Sequence, residues 1–287
     1  MVKSVVKHFK SAFNKPVRMR KYQFIIPRRV VQLSILLLFT GGNYFGWEFL
    51  RGNYSSAIIA DVMNLSDPYA LMQIIAAGFL ASSSVLIGAL VVFLIYVIIG
   101  GRMFCSWICP LNIITDLAFR LRKTFKIEAE NKINISRSIR FYILGLSLLV
   151  SFVFGMAAFE IISPISMLHR AIVFGSGSGL AIVALVFLVD LLVLKAGWCG
   201  HICPLGAFYS IFGRQAIIKV KHNHENCTNC MACFDVCVEE QVLSIVGKKS
   251  DFIRSGACTN CGRCIEACDD NALKYVLKFD MKKETII

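Results

Sequence analysis

Four stretches of the chain are apolar and almost free of charge, and they are separated by segments rich in polar and basic residues. They cover residues 30–47, 83–99, 141–159 and 179–194. A helix needs about 20 apolar residues to cross a bilayer, so this pattern predicts four transmembrane helices. Buried helices of a globular enzyme fit less well, both on length and on the charge of the loops. Residues 1–29 are mixed and hold nine Lys or Arg ahead of the first apolar run. No small-residue cleavage site follows that run, so a cleavable signal peptide is not expected.

Charge then orients the pattern. The loop 101–140 holds eight Lys or Arg, whereas Arg51 alone lies between the first two spans and Arg170 alone between the last two. Positive residues collect on the cytoplasmic side, so both termini are expected in the cytoplasm of a multi-pass protein. The net charge of +13 is accounted for by this topology, and no nucleic-acid surface is required. A hydrophobic fraction of 56% agrees with a membrane protein.

The membrane part repeats itself. Asp67-Pro68 opens an uncharged run that passes residues 81–84 and ends at Cys105 and Cys109-Pro110. Ser163-Pro164 opens a second run, through 175–179, that ends at Cys199 and Cys203-Pro204. The run 69–100 has 32 residues, too many for one upright helix. Its first third, and likewise 165–174, is predicted to be a short helix at the outer face. The halves are then parallel repeats about an axis normal to the membrane.

Both Cys-x3-Cys-Pro motifs should lie on the cytoplasmic face near that axis. Proline suits the first turn of a helix and disfavours helix before it. Helices are therefore expected at about 110–125 and 204–212, with Cys109 and Cys203 at their starts, where the dipole favours thiolate. Cys105, Cys109, Cys199 and Cys203 are candidates for a third metal centre or for two redox dithiols. A shared metal centre would draw the thiolates within about 4 Å of one another. Dithiols would instead reach disulfide geometry.

The other eight cysteines give one pattern twice: Cys227, Cys230, Cys233, Cys237, then Cys258, Cys261, Cys264, Cys268. Three close thiolates plus a fourth, given twice, point to two [4Fe–4S] clusters rather than to zinc or disulfides. In two-cluster ferredoxins the fourth cysteine serves the neighbouring cluster. Cys227, Cys230, Cys233 and Cys268 are thus assigned to one cluster, and Cys258, Cys261, Cys264 and Cys237 to the other. The Pro that usually follows is replaced by Val238 and Asp269. A small hairpin is expected around 242–246 and 252–253. Cytoplasmic thiols stay reduced and free to take clusters.

The expected fold is an all-α membrane protein of four transmembrane helices in two parallel repeats, plus a small α+β ferredoxin domain. Residues 1–29 form a basic cytoplasmic segment, 30–213 the membrane domain and 214–287 the cytoplasmic ferredoxin domain. Neither a dinucleotide fingerprint, a P-loop nor a haem attachment site occurs in the sequence. The lipid-soluble donor left is quinol. Its oxidation releases two protons, and carboxylates at membrane depth are the candidate acceptors. Asp190 inside the fourth span and Glu160 at the end of the third lead, with Glu48 and Asp61 behind them.

Residues 51–56 (Arg-Gly-Asn-Tyr-Ser-Ser), 104–112, 197–204 and the paired cluster runs resemble the NapH family. That family comprises membrane ferredoxin-type quinol dehydrogenase subunits of the periplasmic nitrate reductase system. The resemblance covers essentially the whole chain. It implies four spans, two [4Fe–4S] clusters and a bacterial inner membrane. It also implies a periplasmic iron–sulfur partner of the NapG type, a membrane-anchored multihaem cytochrome, and electron flow from quinol towards nitrate reduction. Two other readings stay open. One is a FixG/CcoG-like metal reductase or assembly factor, against which the 19 residues after Cys268 count. The other is a redox sensor or scaffold without turnover.

Overall fold

The computed structural model describes residues 22–47, 49–125, 127, 136–175 and 177–278. Glu48 and most of the basic N-terminal segment lie outside them. Helix α1 (Ile25–Tyr44) buries Arg28, Gln32, Leu36 and Phe39, a spacing of three or four that lines one helical face. Leu33 and Leu37 on the other side are exposed. The same inversion marks α6 (Ile139–Phe154), which buries Arg140 and Ser151 and exposes Leu146, Leu149, Phe152 and Val153. By length and composition α1 suffices to cross a membrane, and the other long apolar helices are shorter.

Between α1 and the next helix the chain forms an antiparallel sheet of β1 (Leu50–Gly52), β2 (Ser56–Ile59) and β3 (Met63–Ser66), in that order. The all-α expectation for the membrane part missed it. The strands have only three or four residues, and their pairing is local. Asn53 sets the first turn, its side-chain oxygen accepting from the backbone N–H of Ser55 and Ser56 at 2.9 Å. Strand β3 lies along α3 (Ser83–Ile99). Gly88 permits this, because a Cβ there would fall inside the Asn64 carbonyl.

The repeat is visible in the helices. In the first half α2 (Pro68–Ala76) is capped by Asp67, whose carboxylate accepts from Ala70 N–H at 3.2 Å, with proline at the first turn. Then follow α3, α4 (Met103–Trp107) and α5 (Leu111–Thr124). The second half gives α8 (Pro164–Phe174), α9 (Gly177–Leu192), a π-helical turn (Trp198–Ile202) and α10 (Pro204–Phe212). Between the halves lie α6 and α7 (Ala158–Ile162). Helix α5 packs on α9, and α10 on α6 and α3. The halves thus meet through a core that includes Tyr69, Phe104, Cys109, Leu168, Cys203 and Phe208.

The C-terminal region has its own core, including Val220, Leu243, Ile253, Ile265 and Leu273. Its sheet has the order β5 (Asp251–Phe252), β4 (Ile218–His222), β6 (Leu273–Leu277), all antiparallel. The hairpin expected around 242–246 does not form. Glu240–Leu243 is a 3-10 turn that sends Val242 and Leu243 into the core, and Phe252 pairs with Lys221 of β4 instead. Short helices α11 (Ala232–Val236) and α12 (Arg263–Glu266) follow the two cysteine loops.

Candidate metal centres and their coupling

Cys105 sits on α4, Cys109 just before α5, Cys199 in the π-helical turn, and Cys203 caps α10. All are free thiols. The structure brings the four together across the two halves. Burial, then Cys105 and Cys203, raise the Cys109 thiol, while the N–H groups of Leu111 and Asn112 work against that rise. Burial, then Cys105, push Cys203 up to about 12, again against N–H groups, here of Gly206 and Leu205. Cys199 is raised by burial, Asp190, Cys109 and Cys203. Each helix start therefore aims donors at a buried sulfur, as the Cys-Pro pairs predict. Cys105 is also raised by burial, and Arg102 opposes that.

The eight remaining cysteines form two groups. Burial, then Cys268, Cys230 and Cys227, push Cys233 up to about 11. Cys237 is raised by burial and by Cys261 and Cys258, and Cys264 by burial, Cys261, Cys258 and Cys237. The fourth cysteine of each run thus faces the other run. Among the described residues neither these thiols nor the four of the Cys-x3-Cys-Pro motifs close into a metal-binding group.

The loop of Cys258, Cys261 and Cys264 rests directly on the first Cys-x3-Cys-Pro motif. Ser106 Oγ donates to the Thr259 carbonyl at 2.6 Å and Trp107 Nε1 to the Asn260 carbonyl at 2.9 Å. Arg28 bridges the same two segments, donating from Nε to the Ser106 carbonyl at 2.9 Å and from Nη1 to the Cys261 carbonyl at 3.4 Å. Arg102 donates to the carbonyls of Ala257 at 3.1 Å and Cys199 at 3.0 Å. The close approach also needs glycine: a Cβ on Gly213 would meet the Gly256 carbonyl at 2.6 Å. In the other cysteine group Cys230 is exposed.

Two buried carboxylates fasten the junction. Glu239 accepts from Arg102 at 2.5 Å, Arg140 at 2.7 Å and Arg137 at 2.7 Å. Burial works against its charge, yet Arg102, Arg140 and Arg137 bring its carboxyl down to about 2. Asp116 is paired with Arg28, Arg29 and Arg263. Sequence reasoning missed both networks, because these arginines read as topological charge. The signal was Glu239, an acidic residue two positions after a ligand cysteine.

The predicted proton-handling carboxylates fall in two places. Asp190 is buried; Oδ1 accepts from Trp198 N–H at 3.2 Å, and Oδ2 has no partner. It lies close enough to Cys199 to raise its thiol. Lys195 pairs with Glu240 at 2.7 Å. Glu160 accepts from Ser55 Oγ at 2.5 Å and Ser166 Oγ at 3.1 Å, which ties it to the β1–β2 turn. Asp61 pairs with Arg51 at 3.6 Å on the surface. The sequence reading gave no site role to Tyr54, Asp67, His169 or Tyr209; Tyr54 packs on the core that holds Cys109 and Tyr209, and His169 stands edge to face with Tyr54. Tyr209 donates to Asp67 at 2.8 Å.

A family described as "4Fe-4S binding domain" matches residues 83–128 and again 176–221, one match for each Cys-x3-Cys-Pro motif. A "4Fe-4S dicluster domain" matches residues 219–269. The ferredoxin-type protein NapH of Haemophilus influenzae is 44% identical over 232 residues, 80% of this chain and 80% of that protein. NapH of Escherichia coli is 41% identical over 78% of each chain. The methylamine utilization ferredoxin-type protein MauN of Methylorubrum extorquens is 41% identical over 83% of each chain. No solved structure matches. Repeated Cys-x3-Cys-Pro helix starts, a two-run ferredoxin region and identity along most of the chain place this protein in the family of the NapH and MauN ferredoxin-type iron–sulfur proteins.

Proposed function

We propose that the chain spans a bacterial inner membrane four times with both termini in the cytoplasm, takes electrons from quinol and hands them to a partner. The inverted faces of α1 and α6, with arginine and serine inward and leucine and phenylalanine outward, support the membrane placement. The spans are α1, α3, α6 and α9, in two parallel halves. Residues 1–29 are then the basic cytoplasmic segment, 30–213 the membrane domain and 214–287 the ferredoxin domain.

The residues fit iron–sulfur clusters by their donor sets. Cys227, Cys230, Cys233 and Cys268 would hold one [4Fe–4S] cluster, and Cys258, Cys261, Cys264 and Cys237 a second. Cys105, Cys109, Cys199 and Cys203 would hold a third polynuclear centre, shared between the halves; the paired family match over these motifs favours this over two dithiols. Bound there, the clusters supply one-electron transfer. The protein's part is to keep the three thiol sets in register. The observation that carries the reading is the seating of the Cys258–Cys264 loop on the Cys105 motif through Ser106, Trp107, Arg28 and Arg102.

Asp190, beside Cys199, and Glu160, beside the β1–β2 turn, are the proton acceptors in this reading. The onward partners are an iron–sulfur protein of the NapG type and a membrane-anchored multihaem cytochrome serving periplasmic nitrate reduction. The decisive test adds a short-chain naphthoquinol anaerobically to the purified full-length protein and follows the cluster absorbance. Bleaching at a rate that rises with quinol concentration is expected. A protein that dithionite bleaches and quinol does not would leave an electron carrier with another donor.

A further inference from the structure

We propose that His169 and Tyr54 form the binding site for the quinol headgroup, where the β1–β2 turn reaches the cysteine core. The proposal rests on the quinol-donor reading above and gives it a location. His169, on α8, is 1% exposed, and among the described residues neither of its ring nitrogens has a hydrogen-bond partner. The buried hydroxyl of Tyr54 lacks one too. The two rings stand edge to face with centroids 5.5 Å apart, and Phe39 packs on both, at 5.2 Å from Tyr54 and 5.1 Å from His169. Leaving buried polar atoms unsatisfied is costly, and native interiors rarely do so without a functional reason. Here they gather in one aromatic cluster.

Quinol matches that chemistry. Its ring presents an aromatic face and edge to Phe39 and Tyr54. One hydroxyl can donate to a neutral imidazole nitrogen, and the other can exchange a hydrogen bond with a phenol. The location suits electron delivery, because Tyr54 packs on the core that holds Cys109, close enough for the charge of Cys109 to act on its phenol. The turn is also firmly held: Asp67 N–H donates to the Ser55 carbonyl at 2.8 Å, and Ser55 Oγ donates to Glu160 at 2.5 Å.

The reaction at this site balances. One quinol gives one quinone, two electrons and two protons. The electrons leave singly for the iron–sulfur acceptors. One proton passes first to an imidazole nitrogen of His169, as a relay ahead of the acceptor Asp190. The other passes to Glu160, which Ser55 Oγ ties to the β1–β2 turn at 2.5 Å.

The test uses purified full-length protein with Tyr54→Phe and His169→Gln as separate variants. Affinity for a short-chain naphthoquinone is read from quenching of intrinsic fluorescence, and the rate of quinol-driven reduction is compared with that by dithionite. Each variant should bind about tenfold more weakly, the loss of one hydrogen bond of about 1.4 kcal/mol. His169→Gln should slow quinol-driven reduction by about 100-fold, as loss of a base does. Dithionite reduction should not change. Wild-type affinity and rate in both variants overturn this site and leave quinol donation standing. A wild-type protein that neither binds naphthoquinone nor accepts electrons from quinol overturns the donor reading and the site with it. Should His169→Gln fail to fold, Tyr54→Phe decides alone, since it removes only a hydroxyl that no group among the described residues engages.

Discussion

Arg102 Nη1 lies 2.5 Å from Glu239 Oε1, and both side chains are almost completely buried, at 1% and 2% exposure. The two residues are 137 positions apart, one ahead of the first Cys-x3-Cys-Pro motif and one just past Cys237. This buried ion pair therefore helps to join the segment of the first Cys-x3-Cys-Pro motif to the ferredoxin region. Buried pairs add little net stability against an apolar isostere, but removing one partner strands the other. Here it would strand three guanidiniums.

Glu239→Ala should cost about 3–5 kcal/mol, the usual penalty for uncovering a buried charge. The loss should be local to the junction. Hydrogen exchange should accelerate in Arg102–Trp107 and around Ala257, while the α3 helix keeps its protection. Unchanged exchange at Ala257 would show that the glycine contacts and the Asp116 network hold the junction alone.

The cysteine chemistry was legible because ligand spacing is a local property, and so was the repeat, written in paired Pro and Cys-Pro signals. What escaped depended on distant partners. Arg28, Arg102 and Arg140 are arginines on the basic segments, and nothing local distinguishes them from charges that merely set orientation. Burial does, at 0%, 1% and 3% exposure. The β1–β3 sheet escaped because its strands are short and its hydrophobic alternation is overwritten by the Asn53 turn. His169 and Tyr54 escaped because 115 residues separate them and only the fold makes them neighbours. The second-cluster hairpin failed because Val242 and Leu243 satisfy the core better as a 3-10 turn.

Iron content distinguishes the thiol assignments. Three cubanes predict about twelve irons per chain, and Cys109→Ser should reduce this to about eight, because the two ferredoxin clusters keep all their ligands. Inductively coupled plasma analysis of anaerobically purified protein reads both values. About eight irons in the wild-type chain would return Cys105, Cys109, Cys199 and Cys203 to the dithiol reading.

Orientation can be tested at a turn that tolerates insertion. Val62, between β2 and β3, is 89% exposed, whereas Ser56 is fixed in the sheet opposite Ser66. A reporter active only in the periplasm should therefore work when inserted at Val62 and stay silent when fused after Ile287. The opposite pattern would reverse the topology.

Asp190 separates a proton acceptor from a structural cap. Its Oδ1 already accepts the Trp198 N–H, and Asn can keep that bond, so Asp190→Asn should preserve the turn that carries Cys199. What Asn cannot do is take a proton at the position of Oδ2, which has no partner. If Asp190 receives a proton during quinol oxidation, the variant should slow quinol-driven cluster reduction by about 100-fold while iron content and dithionite reduction stay as in the wild type. If it serves only the turn, Asp190→Asn should reduce at the wild-type rate, and Asp190→Ala should lose both iron and thermal stability. Stopped-flow absorbance on the two variants, with iron assayed on the same samples, tells these outcomes apart. Run beside Glu160→Gln, the measurement also shows which carboxylate carries the proton, because Glu160 lies by the β1–β2 turn and Asp190 lies by Cys199.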